Sequence, residues 1–275
     1  MNKIIAIDLD GTLLDDNLNI SEENLRMLNH ANDRGYEIIL CTGRPLESAR
    51  VFTDVINKNN IIVKYLVLLN GASIYNLYKE EEMKGYYLNV DNLEKSSQLL
   101  KKFSSYNLNL VAMNNSKFFN VEKEILTDEV IIDAQSNKME ITYLSSSDFI
   151  KANNINKAFF VGESKDIDVI QDKSEAIFDT NSDTVRSSEK IFEILPKNVN
   201  KGLSLTWLAN KLKVNNNSIS CIGDELNDVT MFEISSKRVA MENANEKIKE
   251  ISTFITNSNN NSGVAKGIEW ILNND

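Results

Sequence analysis

The sequence predicts an α/β protein whose parallel-sheet core is interrupted by a separate α+β domain. Three observations predict it. Short apolar runs alternate with amphipathic helical stretches near the start, the same alternation returns near the end, and a more polar pattern lies between. Residues 4–7, IIAI, form the unbroken apolar run expected of a strand buried on both faces of a parallel sheet. Asp8 and Asp10 then interrupt it, and Gly11-Thr12 mark a turn. Carboxylates at the end of such a strand are costly to desolvate unless a cation or hydrogen bonds compensate them. The next stretch, SEENLRMLNHANDRG, reads as a helix, with Ser21 as N-cap, acids in its first turn and Gly35 as its stop. Leu25, Leu28 and Ala31 recur at helical spacing, and the lone histidine, His30, falls within it. YEIILC is a second strand, and after TGR, Pro45 is placed to open the helix PLESARVFTDVINK. A third strand, KYLVLL, ends at Asn70-Gly71. Strand, helix, strand, helix, strand implies parallel pairing with right-handed crossovers.

Near the C-terminus KGLSLTWLANKLK reads as a helix, SISCIG as a buried strand and NDVTMFEISS as a helix. KRVAM is a short strand, NANEKIKEIS a helix, TFITN a strand and GVAKGIEWIL a closing helix. The expected division is therefore a core of residues 1–80 and 196–275, with an inserted α+β domain at 81–195 and Pro196 at the return point. Within the insert, segments such as KMEITYL and KAFFVG alternate, while Met113 and Phe118-Phe119 read as core. The tract NSNNNSG at 257–263 is a loop by composition and receives no function.

The chain of 275 residues is long enough for one large domain or two modest ones. Its 42% hydrophobic and 25% charged residues are an ordinary soluble composition, and its net charge of −10 argues against a general nucleic-acid-binding face. The start MNKIIAI resembles a signal peptide only until Asp8 and Asp10, and no stretch approaches the roughly 20 apolar residues of a membrane span. Cys41 and Cys221 lie in apolar strands without metal-type spacing to His30, as expected of buried thiols in a cytoplasmic protein.

Four segments begin where an apolar strand ends or a helix opens: Asp8 with Asp10, Thr42-Gly43-Arg44, Lys201-Gly202, and Gly223-Asp224 through Asn227-Asp228. In an open parallel sheet, ligands bind beyond the carboxyl ends of the strands, so these segments should converge on one crevice. Aspartates gathered there would repel one another without a cation, and hard oxygen ligands suit magnesium. Each segment also has a plainer reading. Thr42 and Gly43 can be a strand end and turn, and Lys201 a solvated lysine. Asp224 and Asp228 can be a helix cap and a first-turn acid. Arg44 can bind phosphate or pair with an acid, and Asn70-Gly71 can be a turn leading into the insert.

DLDGTLL, CTGR, the lysine of NKG and GDELND, in that order, resemble the haloacid dehalogenase-like hydrolases. LNGASIY, FEILPKNVNKG and the ending from VAMENANEKIKE to GVAKGIEWIL resemble the Cof-type phosphatases in particular. The resemblance spans residues 3–270 and is weak over the insert. Glu242 stands where such proteins commonly have Gly in MGNA, and Cys41 replaces a usual small residue. It implies a Rossmann-like core with an inserted α+β cap domain that closes over the substrate. It further implies a phosphatase acting on a small phosphorylated metabolite, such as a sugar phosphate, a flavin precursor or nucleotide, or pyridoxal phosphate. Asp8 would be the nucleophile, Asp10 the acid and base, and Thr42 and Lys201 would stabilise the phosphoryl group. Magnesium would be held by Asp8, the Asp10 carbonyl and Asp224, with Asp228 in support, and Gly43, Arg44 and Asn227 would face substrate or phosphate. The partners implied are the metabolite alone, without nucleic acid or membrane, in a monomer or weak homo-oligomer. The alternatives are a phosphomutase using the same aspartyl phosphate, and a non-catalytic phosphometabolite or magnesium sensor.

Overall fold

A computed structural model describes residues 3–123, 125–178 and 182–275; residues 1 and 2, where the first core segment is expected to start, and 124 and 179–181 lie outside it. The chain divides into two compact units, Met1–Gly43 with Ala49–Lys84 and Asn200–Asp275, and Arg44–Ser48 with Gly85–Val199. The chain first lays down β1 (Lys3–Ile7), α1 (Glu22–Asp33), β2 (Tyr36–Cys41), α2 (Leu46–Lys58), β3 (Val63–Leu68), β4 (Ser73–Asn76) and β5 (Glu81–Gly85). The long insertion supplies α3 (Val90–Lys102), β6 (Leu108–Met113), β7 (Phe118–Val121), α4 (Asp128–Ser136), β8 (Ile141–Leu144) and α5 (Ser146–Lys151). It continues with β9 (Lys157–Gly162), α6 (Ser164–Phe178), β10 (Ser182–Ser188) and β11 (Ile191–Pro196). The return comprises α7 (Lys201–Lys211), β12 (Ile219–Gly223), α8 (Val229–Glu233), β13 (Lys237–Ala240), α9 (Glu246–Ile251), β14 (Phe254–Ile255) and α10 (Gly263–Asn273).

The first unit is built on an eight-stranded sheet in the order β14-β13-β12-β1-β2-β3-β4-β5. From β14 to β3 the neighbours are parallel, and β4 turns back antiparallel on β3. The apolar run does what its composition demands, for Ile4, Ile5, Ala6 and Ile7 are all fully buried in the central strand. Ser21 caps α1 by accepting a hydrogen bond from the Asn24 amide at 3.2 Å, and Gly35 ends it with φ +82°. Glu81–Lys84 stay with the first unit, because β5 extends the edge of its sheet. That edge strand, EEMKG, is polar and without alternation, so its pairing has no apolar signature.

The second unit has a six-stranded sheet in the order β10-β11-β9-β6-β7-β8, antiparallel except for the β7–β8 pair. Leu110 and Ala112 of β6, Ala158 and Phe160 of β9, and Phe192 and Ile194 of β11 alternate onto one face. There they form one apolar core with residues of α3, α5 and α6. Met113 and Phe118 are buried as expected, and the Phe118 ring meets Phe159 edge to face with centroids 6.0 Å apart. Pro196 to Val199 remain with this unit, since Pro196 closes β11 opposite Ser182. No helix among the described residues is long and apolar enough to cross a membrane.

Candidate active site

Strands β12, β1, β2 and β3 are parallel neighbours, so their carboxyl ends lie along one edge of the sheet. Asp224, Asp8 and Thr42 each directly follow one of these strands, and Asn70 lies just beyond the fourth. The chain leaves β1 toward β2 on one side, while β12 returns on the other, which makes Asp8 the residue at the topological switch point.

Asp8, Asp224 and Asp228 are all buried, and each offers a carboxylate oxygen within 4.8 Å of the others. Lys201, at the start of α7 and wholly buried, donates to Asp8 Oδ1 at 2.6 Å and to Asp228 Oδ1 at 2.7 Å. Its approach depends on Gly202, where a Cβ would stand 2.1 Å from the Thr230 carbonyl oxygen of α8. Asp228 Oδ2 accepts the backbone amides of Asp224 and Glu225 at 3.0 and 3.2 Å, so this side chain fixes the loop after β12 as well as the lysine. Thr12 donates its hydroxyl to Asp224 Oδ1 at 2.7 Å. Between them Gly11 adopts φ +71°, and a Cβ there would fall 2.3 Å from Asp224 Oδ2.

Burial, with the neighbouring Asp228 and Asp224 charges, holds the Asp8 carboxyl well above the usual range against the opposing pull of Lys201. Asp224 is pushed up to about 7, first by burial and then by Asp228, although the Thr12 hydrogen bond resists. Burial opposes the charge on Lys201, but the Asp228 and Asp8 carboxylates outweigh it and keep the ammonium protonated. Fully charged, the three carboxylates would outnumber the one ammonium beside them. A hard divalent cation fits that donor set, because it supplies the missing positive charge and takes carboxylate oxygens.

The other residues read from the sequence stand as follows. Thr42 is fully buried, its amide donating to the Val67 carbonyl at 2.8 Å and its own carbonyl accepting from the Asn70 amide at 3.0 Å. Gly43 lies against the Asn70 side chain, where a Cβ would stand 3.1 Å from Oδ1. Asn227 is exposed and donates to that same Asn70 Oδ1 at 3.1 Å, which joins the third strand's turn to the loop after β12. Asp10 is exposed, and its carboxylate is not one of the clustered three. Arg44 belongs with the second unit, where it donates to Ser48 Oγ at 2.8 Å and to the Ser136 carbonyl at 3.3 Å. His30 sits exposed on α1, away from any such cluster. Thr12 was not singled out by sequence reasoning, although its place in DGT, next to the turn glycine, was the available signal.

Fold and site together define an α/β core with an acidic, cation-seeking site at its switch point. The model of the haloacid dehalogenase-like hydrolase family matches residues 5–268, and the chain belongs to that family. Among curated proteins it is 32% identical to YxeH of Bacillus subtilis (strain 168), over 99% of each chain. It is 30% identical to the 5-amino-6-(5-phospho-D-ribitylamino)uracil phosphatase YwtE of the same organism, over 98% of each. Among solved structures, a haloacid dehalogenase-like hydrolase from Bacteroides thetaiotaomicron superposes with a TM-score of 0.87 at 26% identity, covering 98% of this chain and 100% of that one. The chain is a phosphatase of this superfamily, in keeping with the Cof-type resemblance of its sequence.

Proposed function

We propose that this phosphatase depends on magnesium and hydrolyses small phosphorylated metabolites through an aspartyl phosphate on Asp8. The observation that carries the reading is Lys201, buried between Asp8 and Asp228 at hydrogen-bond distance with Asp224 beside them. An Asp8 oxygen attacks phosphorus, and the bond to the ester oxygen breaks. Asp10 gives a proton to the leaving alkoxide, then takes one from the water that attacks the phosphorus of the intermediate. Inorganic phosphate leaves and the Asp8 carboxylate is restored. Thr42 donates to the phosphoryl oxygens, Lys201 balances their charge, and Gly43, Arg44 and Asn227 contact phosphate or substrate. Asp8 and Asp224 would hold magnesium with the Asp10 carbonyl, while Asp228 keeps Lys201 and the loop in place. When bound, the ion supplies positive charge to the phosphoryl oxygens.

Substrate choice is assigned to the inserted unit as a cap. A relative named for 5-amino-6-(5-phospho-D-ribitylamino)uracil supports flavin-precursor phosphates as one candidate class, beside sugar phosphates and pyridoxal phosphate. The buried free thiols of Cys41 and Cys221 suit a reducing cytoplasm. The test is phosphate release from a panel of small esters, with magnesium or EDTA, by wild type and Asp8→Asn. Magnesium-dependent turnover that vanishes in the variant is expected. Turnover surviving in Asp8→Asn contradicts the mechanism, and bisphosphate-dependent transfer without phosphate release favours the mutase.

A further inference from the structure

The two acid-bearing loops of the site are joined by a third loop outside both motifs, Met241 to Asn245, which follows β13. Met241 donates its amide to the Gly223 carbonyl at 3.1 Å, and Asn245 donates its amide to the Asp224 carbonyl at 2.8 Å. Asn243 reaches the other way, its Nδ2 donating to the Gly11 carbonyl at 2.8 Å. Gly11 is the residue between Asp10 and Thr12, and its α-carbon lies against the Asp224 carboxylate. One loop therefore grips the backbone of both Asp224 and the turn that carries Asp10.

The Asn-rich tract holds this loop in turn. Asn259, buried, donates its amide to Asn243 Oδ1 at 3.0 Å and its Nδ2 to the Leu14 carbonyl at 3.1 Å. Glu242 Oε2 accepts the Ser258 amide at 3.2 Å, and the Glu242 amide donates to the Asn257 carbonyl at 3.3 Å. The tract that composition leaves as a bare loop is thus hydrogen-bonded on both sides. Glu242, a departure from the family's usual glycine, ties it to the gripping loop.

We infer that Asn243 is a positioning residue, setting the spacing of the Asp10 turn against Asp224 through its bond to the Gly11 carbonyl, with Asn259 as its support. This rests on the phosphatase reading above. Asn243 is itself exposed, and Asn243→Asp removes only its bond to the Gly11 carbonyl, whereas Asn243→Ala also takes the acceptor from the amide of buried Asn259.

Asn243→Ala and Asn243→Asp both remove the donor. In each, kcat should fall about tenfold while KM for the ester changes less than about twofold, since a small misplacement near the reacting groups acts on the transition state. The melting temperature should be nearly unchanged in Asn243→Asp and lowered by a few degrees in Asn243→Ala, which strips the Asn259 amide of its acceptor. Manganese affinity, read by electron paramagnetic resonance, should weaken severalfold in both. Wild-type kcat and manganese affinity in both variants overturn the inference while leaving the phosphatase reading intact. A loss confined to Asn243→Asp also overturns it, since the added charge alone would then be responsible. Should wild type hydrolyse no ester, the phosphatase reading fails, and manganese affinity decides alone: weaker in both variants supports Asn243 as the spacer, unchanged overturns it.

Discussion

Each unit buries a lysine against carboxylates, and the two arrangements differ in balance. In the second unit Lys157 Nζ meets Glu193 Oε1 at 3.0 Å and lies 5.0 Å from the Phe159 ring centroid. The nearby Asp133 carboxyl is raised by burial and by Glu193, while Lys157, Asn137 and Arg44 oppose the shift. In the first unit Lys201 is shared by Asp8 and Asp228, with Asp224 in the same cluster. A buried pair with matched charges can be an ordinary part of a core. A buried cluster whose carboxylates outnumber its one lysine would destabilise the fold when fully charged unless a ligand completes it, which supports the proposal of the first unit's cluster as the active site.

Breaking the unmatched cluster should have the largest effect. Lys201→Met leaves Asp8 and Asp228 buried without their cation, which should cost about 3–5 kcal/mol in urea unfolding with EDTA present. The same variant should lose phosphatase turnover by about a hundredfold or more, since its ammonium would no longer offset phosphoryl charge. Unchanged stability in that variant would mean that the lysine does not compensate the two aspartates. The matched pair should respond differently. Lys157→Met alone should cost about 3 kcal/mol, and adding Glu193→Leu should restore most of it, because apolar replacement of a whole buried pair is often neutral. A double variant as unstable as the single one would show that Glu193 serves a further partner.

The smallest expected effect is a pH dependence. Asp224 titrates at about 7 in the fold, against an ordinary 3.8, so the folded state holds more protons than the unfolded state between those values. The stability that this group contributes is present below 3.8 and is lost as pH rises through about 7. Asp8, also raised, adds a trend of the same sign. In EDTA the melting temperature should therefore fall as pH rises across that window. Magnesium, replacing the proton, should stabilise more above pH 7 than at pH 5. A magnesium-induced shift of equal size at every pH would remove Asp224 from the proposed ligand set.

Much of the first unit was legible because buried parallel strands read as unbroken apolar runs. IIAI, YEIILC and SISCIG each became a strand at the position their composition gave. Ser73–Asn76 is a short strand and Glu81–Gly85 a polar edge, so neither presents such a pattern to the reader. The clustering of Asp8 with Asp224 and Asp228 was legible from the strand ends, because parallel pairing brings carboxyl ends to one edge. Thr12, Asn243 and Asn259 were not. Their importance lies in hydrogen bonds between segments far apart in sequence, and asparagine in a loop has too many ordinary uses to signal one of them.

The central claim is that Asp8 becomes phosphorylated, and rapid acid quench of wild type turning over a good ester, followed by mass spectrometry, tests it most directly. The account predicts one phosphoryl group on the peptide containing Asp8, lost on alkaline or hydroxylamine treatment and absent from Asp8→Asn. Turnover with no phosphorylated enzyme, or with the phosphoryl group on another residue, would contradict it.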